Sequence, residues 1–223
     1  MPCDNGVDLL FAIKSIPKNG DRRDGLRQSW LDPGLYEGVR VRHVFLFGKK
    51  DIAPIQKEID RFGDALVGDF IDSFHNLTFK DSMVLQWAKE SCHARFILKG
   101  DDDVFVSGFD WLVVIEHVLK VNPFEVTKLI KKMDETKPLV HGSVMGNNPV
   151  IRDHRSKYAD FKWNKERYPT YVSGGGFIMN FAAAMAIQSQ IPTTPLIAID
   201  DAYIGKCYND YPQSQKQIWL RRL

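Results

Sequence analysis

A chain of 223 residues fits one domain of generous size, and 44% hydrophobic with 12% aromatic residues excludes a predominantly disordered state. Thirty Lys and Arg against 28 Asp and Glu leave a net charge of +2, without the basic excess that wrapping a nucleic-acid backbone requires. The longest apolar run, Phe181 to Ile187, falls far short of the roughly 20 residues that cross a bilayer, and no signal-peptide pattern opens the chain. Cys3, Cys92 and Cys207 leave at least one thiol unpaired and lack zinc-ribbon spacing.

In chain order, Leu9 to Ile13 reads as a buried strand. Residues 19–30 read as a turn feeding a helix, with Asp21 as N-cap and Asp24 in capping-box position. Gly25 weakens that helix by about 1 kcal/mol relative to Ala. Val39 to Phe47 begins by alternating and becomes wholly apolar, as a strand entering a core does. Ile55 to Phe62 is helical in pattern, and Ala65 to Phe70 is a short strand. Met83, Val84, Trp87 and Ala88 recur at helical spacing up to Cys92. Ala94 to Leu98 is a strand running into Lys99-Gly100-Asp101-Asp102-Asp103, after which Val104 to Val106 resumes the apolar run. Trp111 to Val121 is an amphipathic helix. Lys137 to Asp153 mixes a short strand with a loop, and Asn180 is predicted to cap a helix after Phe177-Ile178-Met179. Alternating strands and helices predict an α/β domain with a largely parallel sheet flanked by helices.

Four segments carry chemistry. Asp101 to Asp103 follow a predicted strand, where open α/β sheets bind ligands, and adjacent carboxylates call for a positive partner such as a hard divalent cation holding phosphate oxygens. In an extended chain Asp101 and Asp103 share a side. The bland alternative is a solvated acidic turn. A haloacid-dehalogenase-type phosphatase also needs Asp-x-Asp after a strand, but Phe105 occupies its Thr/Val position and Lys99-Gly100 interrupts the strand. Arg23 and Arg27 lie four apart on one helix face near a helix N-terminus, suited to a diphosphate or simply to solvent. Gly174, Gly175 and Gly176 suit a close backbone approach or a tight turn, and nearby Trp163, Tyr168 and Tyr171 suit sugar stacking or a core. Asp200-Asp201 follow an apolar stretch, as a general base or a helix N-cap pair.

Together these segments resemble the β-1,3-galactosyltransferase family, which includes β-1,3-N-acetylglucosaminyltransferases. Its R-x-x-I/L-R-x-S/T-W pattern matches Arg23, Leu26, Arg27, Ser29 and Trp30. Phe45 to Gly48 match F-L-x-G, and Glu58 to Lys80 follow its E…F-G-D…D-F-x-D-S…N-L-T-x-K run. KGDDDVFV resembles its Asp-x-Asp segment, YPTYVSGGGF its glycine motif and IDDAYIGKC its E-D-V-Y-x-G-x-C motif.

The resemblance implies a single GT-A-type catalytic domain over 1–223, with a nucleotide-sugar half at about 9–110 and an acceptor half at about 111–223. It implies Mn²⁺-dependent, inverting transfer from UDP-galactose or UDP-N-acetylglucosamine to the 3-hydroxyl of a glycan. It also implies a type II Golgi enzyme whose membrane anchor lies outside this sequence. Asp101 and Asp103 are then expected at the metal, with Asp101 or Asp102 alternatively at the ribose. Arg23, Arg27 and Asp102 are expected at the donor and Asp201 as the base. Trp163, Tyr171 and Gly174 to Gly176 are expected in the substrate cleft. Asp200 replaces the usual Glu, and Val172 replaces a common Cys, so one disulfide of relatives is expected to be missing. Asn76-Leu77-Thr78 is a glycosylation sequon whose Thr is expected to support a helix start instead. Sixteen residues follow Cys207 and the last His is His154, so a shortened C-terminus lacking a tail histidine is expected. The competing reading is a truncated relative that binds nucleotide-sugar or glycan without transfer.

Overall fold

The computed structural model describes residues 3, 6–49, 52–103, 122–212, 214 and 220–221. The chain alternates β1 (Leu9–Lys14), α1 (Gly20–Arg27), β2 (Val41–Gly48), α2 (Gln56–Phe62), β3 (Ala65–Gly68), α3 (Leu77–Trp87) and β4 (Phe96–Asp101). It continues with α4 (Pro123–Ile130), β5 (Val140–Met145), β6 (Tyr171–Asn180), α5 (Phe181–Gln190), α6 (Asp200–Asp210) and β7 (Leu220–Arg221). The strands form one sheet in the order β3-β2-β1-β4-β6-β5-β7. β1, β2, β3 and β4 pair in parallel, β6 runs antiparallel between β4 and β5, and β7 lies parallel to β5. This is a mixed α/β architecture of GT-A-like type.

All six residues of β1 are buried, because helices cover both faces of the sheet. Leu10 and Ala12 join Val44, Leu46 and Ile97 beneath α3, α5 and α6. Leu9, Phe11 and Ile13 join Phe45, Phe47, Phe96 and Leu98 beneath α1 and α4. The period-2 pleat sorts neighbours in one apolar run into two cores. Cys3 and Cys92 form a disulfide that ties the N-terminal segment to the π-helical turn after α3. Cys207 is a buried free thiol, pushed up to about 11 by burial.

Several local expectations are corrected. Asp21 lies inside the first turn of α1, and the N-cap position falls to Asn19, whose side chain serves Asp102 instead of the helix. β4 runs through Lys99-Gly100 to Asp101 without interruption, since both residues pair with β1 and β6. The strand ends at Asp101, so the alternation argument does not reach Asp103. The three glycines lie within β6 and do not precede a strand. α4, not anticipated, starts at Asn122-Pro123, where Asn122 accepts from the Phe124 and Glu125 amides. Asn180 does cap α5, accepting from the Ala183 amide. The expected Val104–Val106 run and Trp111–Val121 helix fall outside the described residues.

Candidate active site

The C-terminal ends of parallel strands converge where a sheet of this kind binds ligands. Parallel pairing sets Lys14 of β1 beside Asp101 of β4, and Ala12 beside Lys99. Lys14 is buried, and its ammonium lies 3.0 Å from Asp101 and 2.5 Å from Asp200 at the start of α6. Lys99, equally buried, lies 2.5 Å from Asp81 of α3 and 3.2 Å from Asp200. The result is a chain of alternating charge, Asp101–Lys14–Asp200–Lys99–Asp81, across four elements, buried at all but its Asp101 end. Burial alone would raise Asp200, but Lys14 and Lys99 hold its carboxyl well below the usual range. Burial opposes the charge on both lysines too, and the carboxylates around Lys14 and Lys99 outweigh it.

Asp201 belongs to the same helix turn and behaves oppositely. Burial and the neighbouring Asp200 carboxylate push it up to about 7. Its Oδ2 accepts a hydrogen bond from the Gly174 amide at 2.7 Å. A Cβ at Gly174 would stand 2.3 Å from Asp201 Oδ1, so glycine here lets the carboxyl reach the strand backbone. One helical turn later, a Cβ at Gly205 would stand 2.4 Å from the Tyr171 Cβ, so Gly205 lets α6 lie close on β6. Two carboxyls side by side thus differ in protonation because their surroundings differ.

Asp102 turns away from this cluster. It accepts from Ser15 Oγ at 2.6 Å, Asn19 Nδ2 at 2.8 Å and Arg22 at 3.1 Å. Arg23 is fully buried, with all five N–H donors engaged by Glu58, Ser15 Oγ and the Ile16 and Pro17 carbonyls. Arg27 is engaged by Asp64, Glu58 and Asp24 and stacks on Phe45 and Phe62. Both guanidiniums therefore brace α1 against the sheet and α2, with every N–H of Arg23 taken up inside the protein. Arg22, half-exposed at 48%, is the arginine that reaches Asp102 and comes within 3.9 Å of Asp103. Several matched motifs have a shared structural use. Lys80 is buried, donates to the Ser15 carbonyl at 2.6 Å and pairs with Asp72 at 2.8 Å, while Asp72 accepts from the Gly48 amide. The sequon Thr78 is buried near the start of α3 and donates to the Ile197 carbonyl.

An open cleft of about 680 Å³ unites Asp101, Asp103, Asp200 and Asp201 with Lys14, Gly174 and Gly175. Gly176 lies behind it, paired with Gly100 of β4. Trp163 and Tyr171, expected to stack on sugar, are instead core residues. Trp163 donates through its indole to the Arg167 carbonyl, and the Tyr171 hydroxyl accepts from Asn148. The cleft wall carries Phe74, Lys157 and Tyr158. These three were missed, as were Lys14, Lys99 and Asp81. A lysine inside an apolar strand, as in LLFAIK or FILKG, was the available signal for the first two.

Among the described residues, no three His, Cys, Asp or Glu converge closely enough to hold a metal by themselves. Asp101 and Asp103 remain 40% and 64% exposed and face the cleft. Two accessible carboxylates fit a hard cation that takes its other ligands from diphosphate and water.

The galactosyltransferase family model matches residues 21–218. A human acetylgalactosaminyl-O-glycosyl-glycoprotein beta-1,3-N-acetylglucosaminyltransferase is 36% identical over 215 residues, covering 91% of this chain and 52% of its own length. The human N-acetyllactosaminide beta-1,3-N-acetylglucosaminyltransferase 3 is 33% identical over 216 residues, covering 92% and 54%. The bovine UDP-GlcNAc:betaGal beta-1,3-N-acetylglucosaminyltransferase 9 is 32% identical over 222 residues, covering 91% and 52%. The chain thus spans about half the length of the curated relatives it matches. With nine-tenths of its residues aligned and the acidic, glycine and Asp-Asp motifs brought onto one cleft, the chain belongs to the galactosyltransferase family.

Proposed function

We propose that this chain carries the active site of an inverting β-1,3-glycosyltransferase. It moves a hexose from a UDP-sugar to the 3-hydroxyl of an acceptor glycan. The names of its relatives favour N-acetylglucosamine over galactose as the transferred sugar. The observation that carries the reading is the opposed pair at the start of α6, with Asp200 held ionised and Asp201 poised near neutrality in the cleft that also exposes Asp101 and Asp103.

Inversion requires a single in-line displacement. The acceptor O3 lone pair forms the new bond as the bond from the anomeric carbon to the β-phosphate oxygen breaks. The electron pair leaves with UDP, and the O3 proton passes to the Asp201 carboxylate. The Gly174 amide fixes the Asp201 oxygen that does not take the proton. Lys14 and Lys99 hold Asp200, and with it the first turn of α6, in place. Asp101 and Asp103 would hold a divalent cation such as Mn²⁺, which supplies Lewis-acid neutralisation of the leaving diphosphate. Asp102, through Ser15, Asn19 and Arg22, shapes the turn between them.

The Cys3–Cys92 disulfide supports folding in an oxidising compartment, in line with a luminal, Golgi-resident enzyme. No helix among the described residues is long and apolar enough to cross a membrane. The test is UDP release from UDP-N-acetylglucosamine with Mn²⁺ and a β-galactoside acceptor, beside calorimetry of UDP with Mn²⁺. Asp201→Asn is expected to abolish transfer and keep UDP binding, whereas Asp103→Ala loses both. UDP binding without transfer to any acceptor by the unaltered chain would favour a binding-only relative.

A further inference from the structure

We infer that Phe74 and Tyr158 form the sugar-stacking wall of the acceptor site, and that Phe74 also divides it from the nucleotide chamber. The inference rests on the glycosyltransferase reading. Two depressions meet at the Asp101–Asp103 turn. The smaller, about 200 Å³, is lined by Ser15, Asn19, Lys80 and Asp102, at the ends of β1 and β4 where a diphosphate would lie. The larger, about 680 Å³, holds Asp201, Gly174 and Tyr158. Phe74 lines both, together with Lys14, Leu77, Asp101 and Asp103, and is the one aromatic ring among the described residues that does so, whereas Tyr158 lines only the larger.

The two rings come from distant segments, the turn before α3 and the loop before β6. They meet edge to face with centroids 5.3 Å apart. Lys157 lies over both, 5.5 Å from the Phe74 centroid and 4.8 Å from that of Tyr158. Tyr158 is 45% exposed and lines the cleft, so its ring is open to a ligand there. A hexose presents an apolar C–H face that matches an aromatic surface, and its hydroxyls remain free to reach Asp201. An aromatic wall on the Asp201 side of the divide is therefore suited to the acceptor sugar. A ring on the divide itself touches both acceptor and transferred sugar.

The test uses the full chain with UDP and Mn²⁺ and three acceptors: N-acetyllactosamine, a galactoside and an N-acetylgalactosaminide. Binding of each is measured by saturation-transfer NMR and calorimetry, and KM is measured wherever transfer occurs. Tyr158→Ala is expected to weaken the best acceptor about tenfold and leave UDP affinity within twofold, while Tyr158→Phe retains acceptor affinity. Phe74→Ala is expected to weaken both the acceptor and the UDP-sugar. Far-UV circular dichroism of each variant reports an intact fold, and UDP binding by Tyr158→Ala reports an intact nucleotide site. Unchanged acceptor affinity in Tyr158→Ala overturns the inference, as does failure of the unaltered chain to bind any of the three. Acceptor binding that depends on Tyr158 without any transfer would leave the wall standing and refute the transferase reading.

Discussion

Asp200→Asn tests the central electrostatic argument. Asp201 stands at about 7 because of burial first and the adjacent Asp200 carboxylate second. Asparagine keeps the shape and an oxygen for Lys14, and removes the negative charge. The two carboxyls share a hydrogen bond, and two unit charges about 4 Å apart in an effective dielectric of about 20 interact by ~4 kcal/mol, or ~3 pK units. Lys14 and Lys99 already offset part of that repulsion, so a downward shift of about one to two units is expected. The same substitution leaves both lysines short of an anion, which acts on Asp201 in the same direction. In the parent protein log(kcat/KM) should rise with pH, with a midpoint near 7, because a general base works only when ionised. In Asp200→Asn the midpoint should move to lower pH, even as the plateau falls through looser anchoring of α6. The assay is UDP release at saturating donor and limiting acceptor from about pH 5 to pH 9. A midpoint that stays or moves upward would refute the electrostatic account. A limb that survives in Asp201→Asn would refute the base assignment.

Gly174→Ala should cut kcat/KM by about two orders of magnitude, since its Cβ displaces Asp201 and breaks a charge-assisted hydrogen bond worth ~2–3 kcal/mol; steady-state kinetics beside circular dichroism would detect it. Arg23→Met should destabilise the fold by about 1–3 kcal/mol in urea unfolding, because it removes a fully buried guanidinium that serves the Ile16 and Pro17 carbonyls and shares Glu58 with Arg27. Loss of UDP affinity at unchanged stability would instead make Arg23 a donor contact. Gly25→Ala, exposed in α1 with no atom within 4 Å of the added Cβ, should stabilise the protein by about 0.5–1 kcal/mol and raise Tm by a few degrees.

The sheet was legible because its strands are uniform apolar runs and its helices are spaced by simple periodicity. β1 and α5 lie within a residue of where the pattern puts them. The acids were legible because clustered carboxylates beside strands are costly and therefore conspicuous. The arginines misled because motif spacing reports that two side chains share a helix face, not what that face meets. Here it meets Glu58 and Asp64 from the α2–β3 region, a tertiary fact. The aromatics misled for a related reason. Trp163, in the loop before β6, and Tyr171, the first residue of β6, lie near the glycines in sequence yet join the core, while the same loop brings Tyr158 against Phe74, 84 residues away in the chain. Asn19 also shows a local signal overridden, its capping side chain drawn off by Asp102.

The charge count in the buried cluster explains why one of its carboxyls is poised to accept a proton. Lys14 and Lys99 supply two positive charges, while Asp81, Asp200 and Asp201 crowd around them. Asp200 touches both ammoniums and stays ionised. Asp81 touches only Lys99, and burial raises it to about 6. Asp201 has no lysine in direct contact among the ion pairs of the described residues, so burial first and the neighbouring Asp200 anion second raise it furthest, to about 7. The ranking follows from the number of ammoniums each carboxyl meets, one fewer at each step. A third buried cation would hold Asp201 ionised but a weaker base, and one fewer lysine would leave it protonated at neutral pH. Two lysines placed by adjacent parallel strands hold the base near the pH at which a hydroxyl proton can be taken up and then released.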